Sequence, residues 1–217
     1  MRKYMEDHLD MPLSDVLAQI QEGVMERTTY FGIPTHKSPN DAWAYQQLIH
    51  AMRPDVIVEI GTKYGGSALY FAHLCDLLGH GRVISIDIQH HTLRPGPAAH
   101  PRVTLLLADA CEAFPQVRAM IAPGERVLVV EDSSHTYENT LAVLRTYSAL
   151  TRPGDHFIVE DSICHHGLRV GPDPGPYEAI EAFVAENPDF EVDRSQELLF
   201  ITWNPKGYLR RRASSPA

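Results

Sequence analysis

From Val56 onward the chain alternates short apolar runs with stretches whose apolar positions recur at helical spacing. The runs are Val56–Ile60, Arg82–Ile88, Arg102–Leu107, Arg126–Val130 and His156–Val159. All but the third are nearly continuous in Val, Ile or Leu, as strands covered on both faces are, so they predict a parallel sheet. Between them Ser67–Leu78, Cys111–Ile121 and Glu138–Leu150 read as helices, the last closed by Arg152-Pro153-Gly154. His90–Pro101 is rich in proline and histidine, lacks the helical period, and reads as a loop or a single turn. Pro176–Glu186 predicts a further helix. Phe190–Arg194 and Leu198–Trp203 then flank Ser195-Gln196-Glu197 as the strands of an antiparallel hairpin.

Residues 1–54 have a different pattern. Val16, Leu17, Ile20 and Val24 share one face of a helix that Ser14 can cap, and Gly32-Ile33-Pro34 breaks it. A second helix starts where Ser38 is the N-cap, Pro39 the first helical residue, and Asp41 stands three after the cap. Its apolar face is Tyr45, Leu48, Ile49 and Met52, and Arg53-Pro54-Asp55 ends it. The expected architecture is therefore α/β: a doubly wound, Rossmann-like, mostly parallel seven-stranded sheet with a C-terminal antiparallel hairpin and an N-terminal helical extension. In residue numbers this gives an extension over 1–54, the sheet domain over 55–205, and a basic flexible tail over 206–217 that ends in Ala213-Ser214-Ser215-Pro216-Ala217.

Composition narrows the function. The chain has 217 residues, 44% hydrophobic and 22% charged, close to the globular average and enough for a sizeable core. Nineteen Lys and Arg against 28 Asp and Glu leave a formal charge of −9, the wrong sign for tracking a phosphate backbone. Cys75, Cys111 and Cys164 form no C-x-x-C pair, and their odd number argues against a disulfide framework. No apolar run approaches the ~20 residues of a membrane span, and the start, MRKYMEDHLDMP, carries acids where a signal peptide is apolar. The expectation is a cytoplasmic protein, a homo-oligomer, acting on a small molecule and on neither nucleic acid nor membrane. Twelve histidines are the unusual count, with groups at His90 and His91, His135, and His165 and His166.

The first strand runs into Glu59-Ile60-Gly61-Thr62-Lys63-Tyr64-Gly65-Gly66-Ser67 and then a helix, the place where doubly wound folds hold a nucleotide-like ligand. Gly61, Gly65 and Gly66 permit tight turns and close approach of a ligand, and Ser67 can cap the helix. The spacing is not G-x-G-x-x-G, which disfavours a dinucleotide, and Glu59 suits a ligand end carrying an ammonium. Asp87 ends the second strand, where an acid can take two ribose hydroxyls. Asp109 ends the third, where its carboxylate or the following Ala110 amide can read an adenine edge, although it can equally cap the next helix. The set fits adenosine bearing an amino acid.

Strands four and five end in Glu131-Asp132-Ser133-Ser134-His135 and Glu160-Asp161. Neighbouring strands deliver Asp132, Glu160 and Asp161 to one carboxyl-end edge, and convergent carboxylates repel unless a cation sits among them. Hard oxygen ligands favour Mg²⁺; zinc, through His135, His165, His166 and Cys164, is the competing reading. His135 lies three residues past Asp132, so one turn can bring both to a single hydroxyl. A neutral imidazole there can take its proton at physiological pH.

Lys37-Ser38-Pro39-Asn40-Asp41-Ala42-Trp43 with Tyr45-Gln46, the Glu59 to Ala68 turn, Asp132-Ser133-Ser134-His135-Thr136 and Val159-Glu160-Asp161 together resemble the cephalosporin hydroxylase family. That family resembles class I S-adenosylmethionine-dependent methyltransferases and includes rhamnosyl O-methyltransferases; the likeness spans about residues 30–205. The resemblance implies that Glu59, Gly61 and Ser67 contact the methionine part of S-adenosylmethionine, that Asp87 holds the ribose, and that Asp109 lies near the adenine. With Thr62, Gly65 and Ala110 these form the expected cofactor set. It also implies a Mg²⁺ site at Asp132, Glu160 and Asp161, spaced much as in catechol O-methyltransferase. There a lysine three residues after the first ligand is the base, and His135 stands in that place. The family often has a second acid where this chain has Ser134.

The expected function is Mg²⁺-dependent methylation of a hydroxyl on a sugar or small natural product of secondary metabolism, with His135 as general base. Two other classes compete: a noncatalytic, cofactor-binding assembly subunit, and a nicotinamide-dependent oxidoreductase, which the glycine spacing disfavours.

Overall fold

The computed structural model describes residues 4–213. Helix α1 (Leu13–Arg27) opens the extension and is followed by a two-strand ribbon, β1 (Thr29–Tyr30) and β2 (Ile33–Pro34). Pro12 is the N-cap of α1, so Ser14, expected to cap it, instead lies within the first turn. Helix α2 (Pro39–Met52) starts as its sequence dictates. Ser38 Oγ accepts from the Asp41 amide at 3.3 Å, a cap worth about 1 kcal/mol, and Pro39 fills a position whose N–H would have no partner.

Five parallel strands follow: β3 (Val56–Ile60), β4 (Arg82–Asp87), β5 (Val103–Leu107), β6 (Val127–Glu131) and β7 (His156–Val159). With β8 (Phe190–Val192) and β9 (Tyr208–Arg211) they form one sheet in the order β5-β4-β3-β6-β7-β9-β8, whose last two strands are antiparallel. The expected α/β class and doubly wound sheet are those observed. The connecting helices are α3 (Gly66–Leu78), α4 (Pro95–Ala99), α5 (Ala110–Ala119), α6 (Tyr137–Tyr147) and α7 (Pro176–Glu186). The one-turn α4 lies in the segment expected to be a loop or single turn.

Each central strand is apolar on both faces because each face has its own core. Val127 and Val129 of β6 join Val117, Leu144 and Phe183 under α5, α6 and α7, while Leu128 and Val130 join Tyr45, Ile49 and Phe71 under α2 and α3. Helix α2 of the extension thus forms part of one covering layer. Strand β3 pairs with β4 on one side and β6 on the other, so the chain reverses its winding there and the carboxyl ends of β3 and β6 open a crevice.

The hairpin's second strand is not Leu198–Trp203. It is Tyr208–Arg211, the stretch expected to be a flexible tail, and it lies between β7 and β8. Tyr208 and Leu209 are fully buried there, while Arg210 reaches Glu191 and Arg211 reaches the Thr151 carbonyl. The apolar residues of 198–203 serve other contacts: Ile201 and Trp203 pack against α1, and Thr202 and the Trp203 amide bind Asp41. Of that tail, residues 214–217 lie outside the described residues, as do residues 1–3 at the start. Among the described residues no helix is long and apolar enough to cross a membrane, and Cys75, Cys111 and Cys164 are free thiols.

Candidate active site

The crevice is a cleft of about 590 Å³, within the range of small-molecule sites. One half is walled by the turn after β3 and by the ends of β4 and β5. Gly61, Thr62, Gly65, Ser67, Asp87, Asp109 and Ala110 all line it. Asp87 ties this half together, accepting from the Lys63 amide at 2.8 Å and the Gln89 amide at 3.1 Å. Asp109 both lines the cleft and caps α5, accepting from the Glu112 amide at 3.1 Å.

Two details of the turn differ from expectation. Gly65 is the N-cap of α3 and Ser67 lies inside the helix, so Ser67 lines the cleft without capping. The glycines are also required by the protein's own chain: a Cβ at Gly61, whose φ is +103°, would collide with the Asp132 carbonyl, and one at Gly66 with Thr35. Those approaches bring β6 and the extension against the turn.

Glu59 does not line the cleft. It is fully buried beneath the turn, where Ser85 Oγ donates to Oε2 at 2.5 Å, Oε1 has no partner, and burial raises its pKa.

The other half holds the acids. Asp132 follows β6, and Asp161 follows β7 by way of Glu160. Carboxylate oxygens of Asp132 and Asp161 and a ring nitrogen of His135 lie within 4.8 Å of one another. His135 Nε2 is 3.3 Å from Asp161 Oδ2 and 3.8 Å from Asp132 Oδ1. His135 (φ 58°) and Asp161 (φ 57°) both adopt left-handed backbone, uncommon for residues with a Cβ and typical of sites where the surroundings impose it. Burial and the neighbouring Asp132 charge push Asp161 up to about 6 despite the opposing pull of His135.

Glu160 sits apart from this group. Its side chain is 6% exposed, does not line the cleft, and receives a hydrogen bond from Lys37 Nζ at 2.6 Å. Lys37 also bonds Asp132 Oδ2. Burial and the charge of Asp132 hold Glu160 well above the ordinary carboxylate range. For Lys37 burial opposes the ammonium, yet the Asp132 and Glu160 charges outweigh it and keep the group protonated.

His165 and His166 are turned to other work: His165 Nε2 meets the Gly171 carbonyl at 3.1 Å, and His166 stacks on Tyr177 and meets Glu178 at 2.6 Å. Among the described residues no nitrogen and sulfur set assembles; the Asp132 and Asp161 carboxylates are the hard oxygen donors that suit Mg²⁺, with the His135 imidazole beside them.

A family model described as Rhamnosyl O-methyltransferase/CmcI matches residues 22–212. The chain belongs to that family. Rhamnosyl O-methyltransferase of Mycobacterium tuberculosis (strain ATCC 25618 / H37Rv) is 36% identical over 198 residues, covering 87% of this chain and 80% of that one. Among solved structures, CmcI in its apo form is similar with a TM-score of 0.68 at 26% identity, over 86% of this chain and 77% of that one. CmcI with Mg and SAM has a TM-score of 0.67 at 22% identity over the same shares. Membership of this O-methyltransferase family sets aside the nicotinamide-dependent oxidoreductase as a description of the chain.

Within this family's fold the extension supplies wall residues that sequence reasoning missed. Gln21, Met25, His36 and Lys37 line the cleft together with Ile163, Leu168, Val170 and Trp203. Lys37 was visible in the Lys37-Ser38-Pro39-Asn40-Asp41 motif but reads there only as the neighbour of a helix cap. The available signal was the convergence of three acids, which calls for a cationic side chain somewhere in the chain.

Proposed function

We propose that the protein is a Mg²⁺-dependent S-adenosylmethionine O-methyltransferase acting on a hydroxyl of a sugar or small natural product in secondary metabolism. The observation that carries this reading is the single cleft with two chemically distinct halves: a glycine turn followed by Asp87 and Asp109, and beside it the Asp132, His135 and Asp161 group. The relatives named above are rhamnosyl O-methyltransferases, and one neighbour binds Mg and SAM, which supports the same donor and cation here.

Bound S-adenosylmethionine supplies an electrophilic methyl group, and a bound divalent cation makes the acceptor hydroxyl more acidic. The residues of this chain do the rest. Asp132 and Asp161 hold the cation, with Glu160 behind them, and Asp87 takes the ribose hydroxyls. His135 Nε2 faces the same space and accepts the acceptor's proton. Lys37, held in its charged form by two acids, has no lone pair for that role. The apolar wall of Met25, Ile163, Leu168 and Trp203 excludes water on the acceptor side. Alignment of two reactants in one cleft supplies much of the rate gain. The acid and histidine group favours this reading over a noncatalytic assembly subunit, which needs no such group.

The test is transfer of a labelled methyl from S-adenosylmethionine to methyl rhamnoside, with Mg²⁺ and with excess chelator. Labelled ether formed only with Mg²⁺ is expected. Equal transfer in chelator overturns the metal dependence, and binding of S-adenosylmethionine without transfer to any hydroxyl acceptor returns the assembly-subunit reading.

A further inference from the structure

The acid half of the cleft contains a charge that the reaction does not use. Asp132 and Asp161 face one another's space beside His135, Glu160 lies buried behind, and Lys37 sets one ammonium between Asp132 and Glu160. Asp132 is shared: Oδ2 accepts from Lys37, while Oδ1 faces His135, on the side where Asp161 also stands. A cation held through Asp132 and Asp161 would therefore stand beside a fixed positive charge.

Lys37 has little freedom to withdraw. Its side chain is 9% exposed. The next residue, Ser38, caps α2, and Asp41 in the first turn accepts from Thr202 Oγ1 at 2.5 Å, the Trp203 amide at 2.8 Å and the Tyr208 hydroxyl at 2.9 Å. The start of α2 is thereby locked to the C-terminal segment, and Lys37 with it. An ammonium is a compact point charge, so at this position it offsets part of the Asp132 charge and repels a second cation.

We propose that Lys37 is a positioning residue that sets the strength of divalent cation binding at Asp132 and Asp161. It holds Asp132 and Glu160 in register and fixes a positive charge beside the Asp132 carboxylate that would serve the cation. The fixed ammonium weakens the pull of Asp132 on a cation and keeps the ion exchangeable, and the extension, not the sheet, determines this. The inference rests on the magnesium reading above. A purely structural ion pair would have the opposite signature, because losing it would loosen the acids and weaken cation binding.

The experiment compares Mn²⁺ binding by electron paramagnetic resonance, and the melting shift produced by Mg²⁺, in the wild type, Lys37→Met, Lys37→Gln and Lys37→Arg. Loss of the charge is expected to tighten Mn²⁺ binding about tenfold or more, with Lys37→Arg within about threefold of the wild type. Mg²⁺ is expected to raise the melting temperature of Lys37→Met more than that of the wild type. Lys37→Gln keeps a hydrogen-bond donor between the acids and decides the matter if Lys37→Met does not fold. Unchanged or weaker binding in the charge-free variants, or an arginine variant that behaves like them, overturns the Lys37 inference alone. A wild type that binds no Mn²⁺, or binds it equally after Asp132→Asn, overturns the magnesium reading first.

Discussion

The two ends of the sheet treat charge in opposite ways. At the amino ends, acids meet arginines: Arg82 forks onto Glu125 at 2.5 and 2.8 Å, and Arg126 meets Asp155 at 2.5 Å. The Arg82 guanidinium holds Glu125 down at about 2. At the carboxyl ends, acids are buried near one another with a single lysine between two of them. Burial raises Glu59 and Glu160, takes Glu131 up to about 8, and leaves one oxygen each of Glu59 and Glu131 without a partner. Paired charges close a fold, whereas clustered like charges cost stability and persist where a ligand repays the cost.

The comparison breaks most visibly if the clustered acids are neutralised. Asp132→Asn and Asp161→Asn are expected to lower kcat by about a thousandfold or more, while calorimetry still shows S-adenosylmethionine binding. Loss of cofactor binding in both would mean that the acids shape the crevice and do not serve the chemistry. His135→Ala comes next, with a loss of about 10²–10⁴ in kcat and of the fall in rate on the acid side of the pH profile. An unchanged profile would assign the proton to another group.

Stability should depend on pH with opposite sign at the two ends. Asp161 has a folded pKa of about 6 against an ordinary 3.8, so its protonated form favours the fold. In chelator, stability is expected to fall as pH rises from about 4 to 6, and the Asp161→Asn variant should flatten that slope. Glu125 is the reverse, with about 2 in the fold against 4.5: its contribution is present above 4.5 and lost as pH falls toward 2. The smallest effect belongs to this pair. Glu125→Gln is expected to cost about 1 kcal/mol in denaturant melts, since both partners are partly exposed, with methyl transfer unaltered. Equal pH slopes at the two ends would erase the distinction.

What the sequence made legible follows from the range of each interaction. The parallel strands and α2 are written in local patterns, so Val56–Ile60 and the Ser38 cap emerged where expected. The Asp132 to His135 spacing is local too, and the ends of adjacent strands brought Asp161 to the same place. Lys37 reaches acids 95 and 123 residues away, and no local period encodes that. Strand Tyr208–Arg211 was hidden because its arginines resemble a solvated terminus, although Arg210 and Arg211 are held by Glu191 and the Thr151 carbonyl. Glu59 and Glu160 show the remaining limit: position at a strand end is readable, but which side of the cleft floor the carboxylate occupies depends on packing.

The most direct test of the two-halved cleft is anomalous diffraction from crystals grown with Mn²⁺ and S-adenosylhomocysteine. The account predicts a manganese peak between the Asp132 and Asp161 carboxylates, with the ribose at Asp87 in the adjoining half. A peak held by His165, His166 or Cys164, or a nucleoside seated away from Asp87, would contradict it.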